Sequence, residues 1–398
     1  MKITKVDVYM LDAGEQRNSR RPICCRIHTD EGIYGDGEAG IAFDYSAPAG
    51  IGMIKDLSRL IIGEDPMRID YIWEKLLKYS FWGQGAGPVL YSGMSAIDIA
   101  LTDIKGKALH IPCYELLGGK FRSELRCYAS QLQFGWTTMI GPFGKKEDYV
   151  KVTKHAMSEG YDAVKIDFTM YDRDGKYIPR LVNGNATCEG FISRDFYKMV
   201  EERLEAIREE CPDVDIIVEN HGRTDTTSAI RLGQLCDKYD CYAYEEPTML
   251  QNVDFQREVR SRVNTPIGSG ERIYTRWGFL NFFRTNSIQL VQPDACNCGG
   301  MSETKKICDM AHAFDIKAQI HCAGSPISTA AALHLSAAIT NFAIYEHHFR
   351  STQPAITVLG KYDYQPQNGI YKVPDLPGLG QELSDYAIKT ALEHVTIE

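Results

Sequence analysis

Three glutamates recur at equal spacing after short apolar runs. Glu219 closes VDIIVE, Glu245 closes CYAYE and Glu271 closes TPIGSGE, each 26 residues from the next. If each run is the strand of a βα repeat, the three carboxylates face one spot. Like charges so gathered repel one another or take up protons. A hard divalent cation relieves them, and an all-oxygen set favours magnesium. The phase continues with Asp294, His321 and Glu346, which follow the next three apolar runs at intervals of 23, 27 and 25 residues. A histidine with a carboxylate neighbour is a natural general base. His221 lies two residues beyond Glu219, so period-two strand geometry gives the pair one side and makes His221 a second acid/base group. Lys165, in VKID, brings positive charge near the same point, and Asp167 two residues on has an ambiguous role. Taken singly, each of these residues reads equally well as an ordinary surface or core group. Their common phase separates them from that background.

The elements that must position these groups are legible as a change of texture along the chain. ITKVDVYML and ICCRIHTD alternate like strands, and the glycines of EGIYGDGEAG supply turns, so an antiparallel meander is expected. From Ser46 to Leu117 apolar residues recur at spacings of three and four, as helices require, and Gly118 and Gly119 stop the last one. Beyond Arg122 short apolar runs alternate with amphipathic stretches: LRCYASQLQF, YDAVKIDF, VDIIVEN, CYAYEEP, TPIGSGE, SIQLVQPD, IKAQIH and FAIYEHH, with helices between them. Eight parallel βα repeats in about 230 residues suit a closed barrel. The fold expected is α/β: a (β/α)7–8 TIM-like barrel over residues 123–352, an α+β capping domain over 1–122, and a Pro- and Gly-rich segment, 353–398, returning to the cap. The insertion TMYDRDGKYIPRLVNGNATCEGF after the second barrel strand is too long and polar for an ordinary loop. It would lie at the carboxyl face, where barrel active sites are built.

The chain has 398 residues, 44 Lys+Arg and 53 Asp+Glu, a net charge of −9. That balance argues against a nucleic-acid partner, which calls for a basic face. No apolar run approaches the roughly 20 residues that span a bilayer. The N-terminus lacks the apolar core of a secretion signal, so a cytoplasmic protein without a membrane partner is expected. The twelve cysteines are scattered, with no Cys-x-x-Cys, and read as buried thiols rather than a zinc site or disulfide framework.

SAIDIALTDIKGKALHIPCYELLGG, EEP, GER, QPD and the closing PGLGQEL together resemble the enolase superfamily, within it the mandelate racemase subgroup, and most closely its acid-sugar dehydratases of the galactonate type. The resemblance covers nearly the whole chain. It implies Mg²⁺ held by Glu219, Glu245 and Glu271, a His321–Asp294 base dyad, Glu346 on the eighth strand and His221 as general acid. It implies a small anionic substrate, an aldonate or aldarate, and a homo-oligomer between dimer and octamer. The subgroup's racemases carry Lys-x-Lys on strand two. Here the second lysine is Asp167, which leaves no obvious base on the opposite face and disfavours racemisation.

The expected chemistry is removal of the proton α to a carboxylate by His321. Mg²⁺, Lys165 and a protonated Glu346 would stabilise the resulting enediolate. His221 would then protonate the departing 3-hydroxyl, giving a 2-keto-3-deoxy acid. Arg17, Arg20 and Arg21, with Phe43, Asp44 and Tyr45, are expected in two loops over the mouth. Ser130, Gln131, Gln133 and Asp167 are candidates for contacts with the sugar. A sugar-acid epimerase or cycloisomerase of the same superfamily, or a non-catalytic metal-dependent binder of sugar acids, is the alternative.

Overall fold

The computed structural model of the chain describes residues 1–14, 21–41, 46–179 and 190–398. Arg17, Arg20, Phe43, Asp44 and Tyr45 lie outside the described residues, as do residues 180–189 of the insertion.

Ile3–Met10 (β1), Ile23–Thr29 (β2) and Tyr34–Ala39 (β3) form the expected antiparallel meander. The chain's last strand, Glu393–Ile397, joins it by pairing antiparallel with β1. Ala47–Ser58 (α1) and Pro88–Leu109 (α3) cover this sheet, and Ile69–Tyr79 (α2) packs against α3. Proline at the start of α3 is preset for a first turn, and His110 ends it in the left-handed conformation at φ 55°. This long helix is buried on nearly every face because it lies between the sheet and the barrel. Its approach to β3 is set by glycine: a Cβ on Gly35 would lie 2.1 Å from the Ala100 carbonyl oxygen, and one on Gly37 1.9 Å from that of Ala96.

After the short helix Cys113–Leu116 (α4) the chain enters the barrel. Its strands are Glu124–Ser130 (β4), Ala163–Ile166 (β7), Asp215–Glu219 (β8), Ala243–Glu245 (β9), Ile267–Ser269 (β10), Leu290–Val291 (β11), Lys317–Ala318 (β12) and Tyr345–His348 (β13). A small hairpin, Gly135–Trp136 (β5) and Met139–Ile140 (β6), follows β4. The barrel strands run parallel in the order β12-β11-β10-β9-β8-β7-β4-β13. Ala318 of the edge strand β12 bridges Phe342, in the segment that leads into the other edge strand, β13. Between them lie Lys146–Ser158 (α5), Arg194–Glu210 (α6), Thr226–Lys238 (α7), Val253–Arg260 (α8), Thr275–Arg284 (α9), Met301–His312 (α10) and Pro326–Ala338 (α11). Side-chain caps start several of them: Ser193 accepts from the Phe196 N–H, Asp225 from Ser228 and Ser325 from Ile327.

The inside of the ring is layered. Tyr128, Ala163, Ile217, Ala243, Leu290 and Ile344 form a small apolar cluster separate from the core between strands and helices. Two residues further along each strand stand Ser130, Lys165, Glu219, Glu245, Gln292 and Glu346. Because side chains alternate faces with period two, this polar set rests directly on the apolar plug at the carboxyl end of the barrel. The described part of the insertion is tied to the barrel by Arg203, whose guanidinium donates to the carbonyls of Phe168, Tyr171, Gly144 and Asp172.

Since the gap between β3 and α3 admits no Cβ, Gly37→Ala should force the two apart and destabilise the cap by about 1–3 kcal/mol or more. Denaturant unfolding of the variant beside the parent checks this; an unchanged midpoint would contradict the packing.

Candidate active site

Glu219 and Glu245 are register partners on the parallel pair β8–β9, which places their side chains next to each other. Both are wholly buried. Between them and Glu346 sits the ammonium of Lys165, 2.6 Å from Glu245 Oε1, 2.8 Å from Glu346 Oε1 and 3.4 Å from Glu219 Oε2. Burial alone would lower the lysine's pKa, but Glu245, Glu346 and Glu219 hold it well above its ordinary value. Gln292 braces this floor, donating to Glu245 Oε2 at 2.5 Å and to Gln319 Oε1 at 2.6 Å.

Glu346 differs from expectation. Although burial pushes its carboxyl upward, the Lys165 ammonium and the His321 imidazole bring it down to about 2. Ser130 Oγ and the Cys322 N–H also donate to it. It is therefore a carboxylate, not the protonated acid expected from the sequence, because the lysine it faces compensates its charge.

Two histidine–carboxylate pairs stand at the mouth. His321 Nδ1 lies 2.6 Å from Asp294 Oδ2, across a bridge between the loops that follow β11 and β12. His321 Nε2 lies 3.0 Å from Glu271 Oε2. Burial lowers the pKa of this imidazole, yet Glu271, Glu346 and Asp294 together hold it well above its ordinary range. His221 Nδ1 lies 2.7 Å from Asp167 Oδ2, and its Nε2 is 3.8 Å from Glu219 Oε2. Burial also works against its charge, but Glu219 and Asp167 raise the His221 pKa to about 9.

The reason His221 faces the site is not the one drawn from strand periodicity. The strand ends at Glu219, and His221 takes the left-handed conformation at φ 47°. Its N–H bonds the Glu219 carboxylate, and Asn220 and Gly222 bond the carbonyls of Glu245 and Glu246. Asp167 is likewise committed: Oδ1 accepts from the Thr169 N–H and hydroxyl, and Oδ2 pairs with His221. In the folded chain it is a partner to His221. Gln133 and Gln131 bond each other, and Gln133 Oε1 accepts the Asp167 N–H. They are buried supports of strand two.

The three glutamates expected to share a cation are only partly brought together. Among the described residues no three His, Cys, Asp or Glu side chains stand close enough to hold a metal ion. Glu219 and Glu245 adjoin, while Glu271 is turned to His321. The donor set nevertheless fits a hard cation. Glu219 Oε2 is buried without a hydrogen-bond partner. Burial and Glu219 push the Glu245 carboxyl well above the ordinary range even with Lys165 beside it. The Glu245 shift marks a carboxylate crowded by like charge, while Glu219 Oε2 has the Lys165 ammonium at 3.4 Å without a hydrogen bond to it.

Sequence reasoning gave no role to Gln292, or to the pair Glu246–Arg272, although QPD, EEP and GER contain them. Arg272 donates to Glu246 and flanks Glu271 at 3.6 Å. A cavity of about 200 Å³ opens above these groups, lined by Gly40 and Ile41 of the cap with Glu271, Arg272, Asp294 and His321. A larger hollow of about 840 Å³ shares Arg272 and Tyr274 with it and runs outward between the cap and α9.

Residues 11–118 match the mandelate racemase / muconate lactonizing enzyme N-terminal domain, and residues 148–387 match the enolase C-terminal domain-like family. A D-xylonate dehydratase of Haloferax volcanii is 31% identical, over 98% of this chain and 88% of its own length. A D-galactonate dehydratase of Pectobacterium atrosepticum is 29% identical, over 97% and 93%. A solved enolase superfamily member from Salmonella Typhimurium superposes over the whole of both chains with a TM-score of 0.94 at 47% identity. The 3,6-anhydro-D-galactonate cycloisomerase of Zobellia galactanivorans does so over 99% and 100%, with a TM-score of 0.82 at 26% identity. With both family domains matched in order around a polar layer of this composition, the chain is an enzyme of the enolase superfamily, in its mandelate racemase and muconate lactonizing branch.

Proposed function

We propose that this enzyme is a magnesium-dependent acid-sugar dehydratase that converts an aldonate or aldarate to a 2-keto-3-deoxy acid. The observation that carries the reading is a pair of histidines, each held by an aspartate, at one site. Each has Nδ1 tied to an aspartate, which fixes the tautomer and leaves Nε2 toward the site. His221, with its pKa near 9, is a proton donor at neutral pH. Strand two offers no competing base: Lys165 is sunk among three carboxylates and Asp167 is engaged by His221 and Thr169. Relatives named as D-xylonate and D-galactonate dehydratases support the same reading.

Glu219, Glu245 and Glu271 are the residues that would hold the metal, which would supply a positive centre for the substrate carboxylate. In its neutral form His321, oriented by Asp294, takes the α-proton at Nε2. The negative charge that develops on the substrate carboxylate faces the Lys165 ammonium from below. His221 gives its Nε2 proton to the 3-hydroxyl as the C–O bond breaks and water leaves. The enol tautomerises to the keto acid.

An acid-sugar panel with Mg²⁺ should yield semicarbazide-reactive 2-keto acid from at least one member, and none after chelation with EDTA. Turnover to an epimer or a cyclised product without keto acid would overturn the assignment. With that substrate, His321→Asn should abolish α-proton exchange in D₂O, a loss on the order of 10²–10⁴-fold. His221→Asn should keep exchange and stop water loss; loss of both would sink the division of labour. Finally, Asp167→Asn should bring the His221 titration, followed by NMR, from about 9 toward 6.5. Because the raised pKa stabilises the folded protein fully below about 6.5 and progressively less up to 9, the variant's stability deficit should shrink over that window. An unmoved midpoint would remove Asp167 from this role.

A further inference from the structure

His321 and Asp294 stand on two different loops, so their 2.6 Å contact depends on how those loops are held relative to each other. The capping domain holds both. Glu38, near the end of β3, is wholly buried and reaches the loop after His321. Its two oxygens each accept the Ser325 N–H at 3.0 Å, and Oε2 also accepts the Ser325 hydroxyl at 2.6 Å and the Ser328 N–H at 3.1 Å. A carboxylate from the cap thus caps the start of α11, where unpaired N–H groups and the helix dipole favour negative charge. Only Cys322, Ala323 and Gly324 separate His321 from that anchor. A Cβ on Gly324 would lie 2.9 Å from Glu38 Oε1 and 2.0 Å from Ser328 Cβ, so the loop has no room to shift.

Two residues beyond Glu38, the Gly40 N–H donates to the Cys296 carbonyl at 2.8 Å, while the Cys296 N–H donates to Asp294 Oδ1 at 2.7 Å. The Asp294 loop is fastened further along by Ser95, which accepts the Gly299 N–H, by Trp73, which donates to the Gly299 carbonyl, and by Asp98, which accepts from Ser302. One short stretch of cap, Glu38–Gly40, therefore spans the dyad and fixes each half of it. We infer that Glu38 is a positioning residue for the catalytic base: it sets the His321–Asp294 geometry from outside the barrel and makes the cap part of the proton-abstraction machinery. The inference rests on His321 being the base of the reaction proposed above.

Losing the anchor frees three buried donors and loosens the base by a distance that costs on the order of 10²-fold in rate. Glu38→Gln keeps the shape and one acceptor; Glu38→Ala removes both oxygens. With the acid sugar found by the panel, kcat should fall about 10-fold for Gln and about 100-fold for Ala. KM should stay within about twofold, since no substrate contact is touched, and α-proton exchange should fall in step with kcat. Amide hydrogen exchange by mass spectrometry should show lost protection over residues 319–330. The control is Asp103→Asn, a buried cap acid that bonds the Leu379 and Asp36 N–H groups and touches neither dyad loop. A fall in kcat for Glu38→Gln no larger than for Asp103→Asn, or unchanged protection over 319–330, overturns the proposal. If Glu38→Ala does not fold, the Gln variant decides. If the wild-type enzyme turns over no acid sugar, the proposed function fails, and the hydrogen-exchange arm still shows whether Glu38 holds the loop.

Discussion

The balance of charge at the carboxyl end of the barrel is the constraint on which the rest of the site depends. Three glutamates and one lysine are taken out of water together, directly above an apolar plug that offers them no solvation. None of the four is tolerable there alone, because an unpaired buried charge costs several kcal/mol. Lys165 makes the arrangement stable, and it fixes protonation states: Glu346 is an anion because the ammonium faces it. Yet one lysine does not satisfy three carboxylates. Glu219 retains an oxygen without a hydrogen-bond partner, and Glu245 is crowded by its register neighbour. The remaining shortage of positive charge is what the proposed hard cation would relieve.

From that floor the two histidine–aspartate pairs follow as a matter of electrostatics. Each imidazole is oriented at Nδ1 by its aspartate, and each answers at Nε2 to whichever glutamate is near. The pairs look alike in composition and differ in surroundings. His221 stands beside Glu219 and His321 beside Glu271, both at the mouth. Different neighbours can so tune the same side-chain type differently.

The capping domain belongs to this arrangement rather than merely covering it. β3 packs through Gly35 and Gly37 onto α3, and the same strand sends Glu38 onto the start of α11. Trp73, Ser95 and Asp98 from α2 and α3 fasten the neighbouring loop. Contacts between residues more than 200 apart in the chain thereby tie the cap to the loops that carry His321 and Asp294.

Much of this was legible in the chain itself. Apolar runs recurring in one phase implied the eight strands, and acidic residues at equal intervals implied where they converge, because strand periodicity and repeat length are local properties. The order of β1–β3 followed from alternation and glycine turns in the same way. Side-chain pairing was not legible, since it depends on register and on backbone conformations that composition does not specify. Asp167 read as ambiguous until the left-handed turn at His221 brought the imidazole onto it. Glu346 read as a protonated acid until parallel pairing set Lys165 against it. Gln131 and Gln133, expected as sugar contacts, are bonded to each other and to strand two, pairings that their places in the chain do not show. Glu271 read as an equal third of a carboxylate cluster, but in the folded chain it faces His321. The sequence alone determined which groups lie at the mouth of the barrel. Which of them hold each other, and so which are charged, was decided only by the tertiary structure, because a buried carboxylate or imidazole takes its state from the nearest opposite charge.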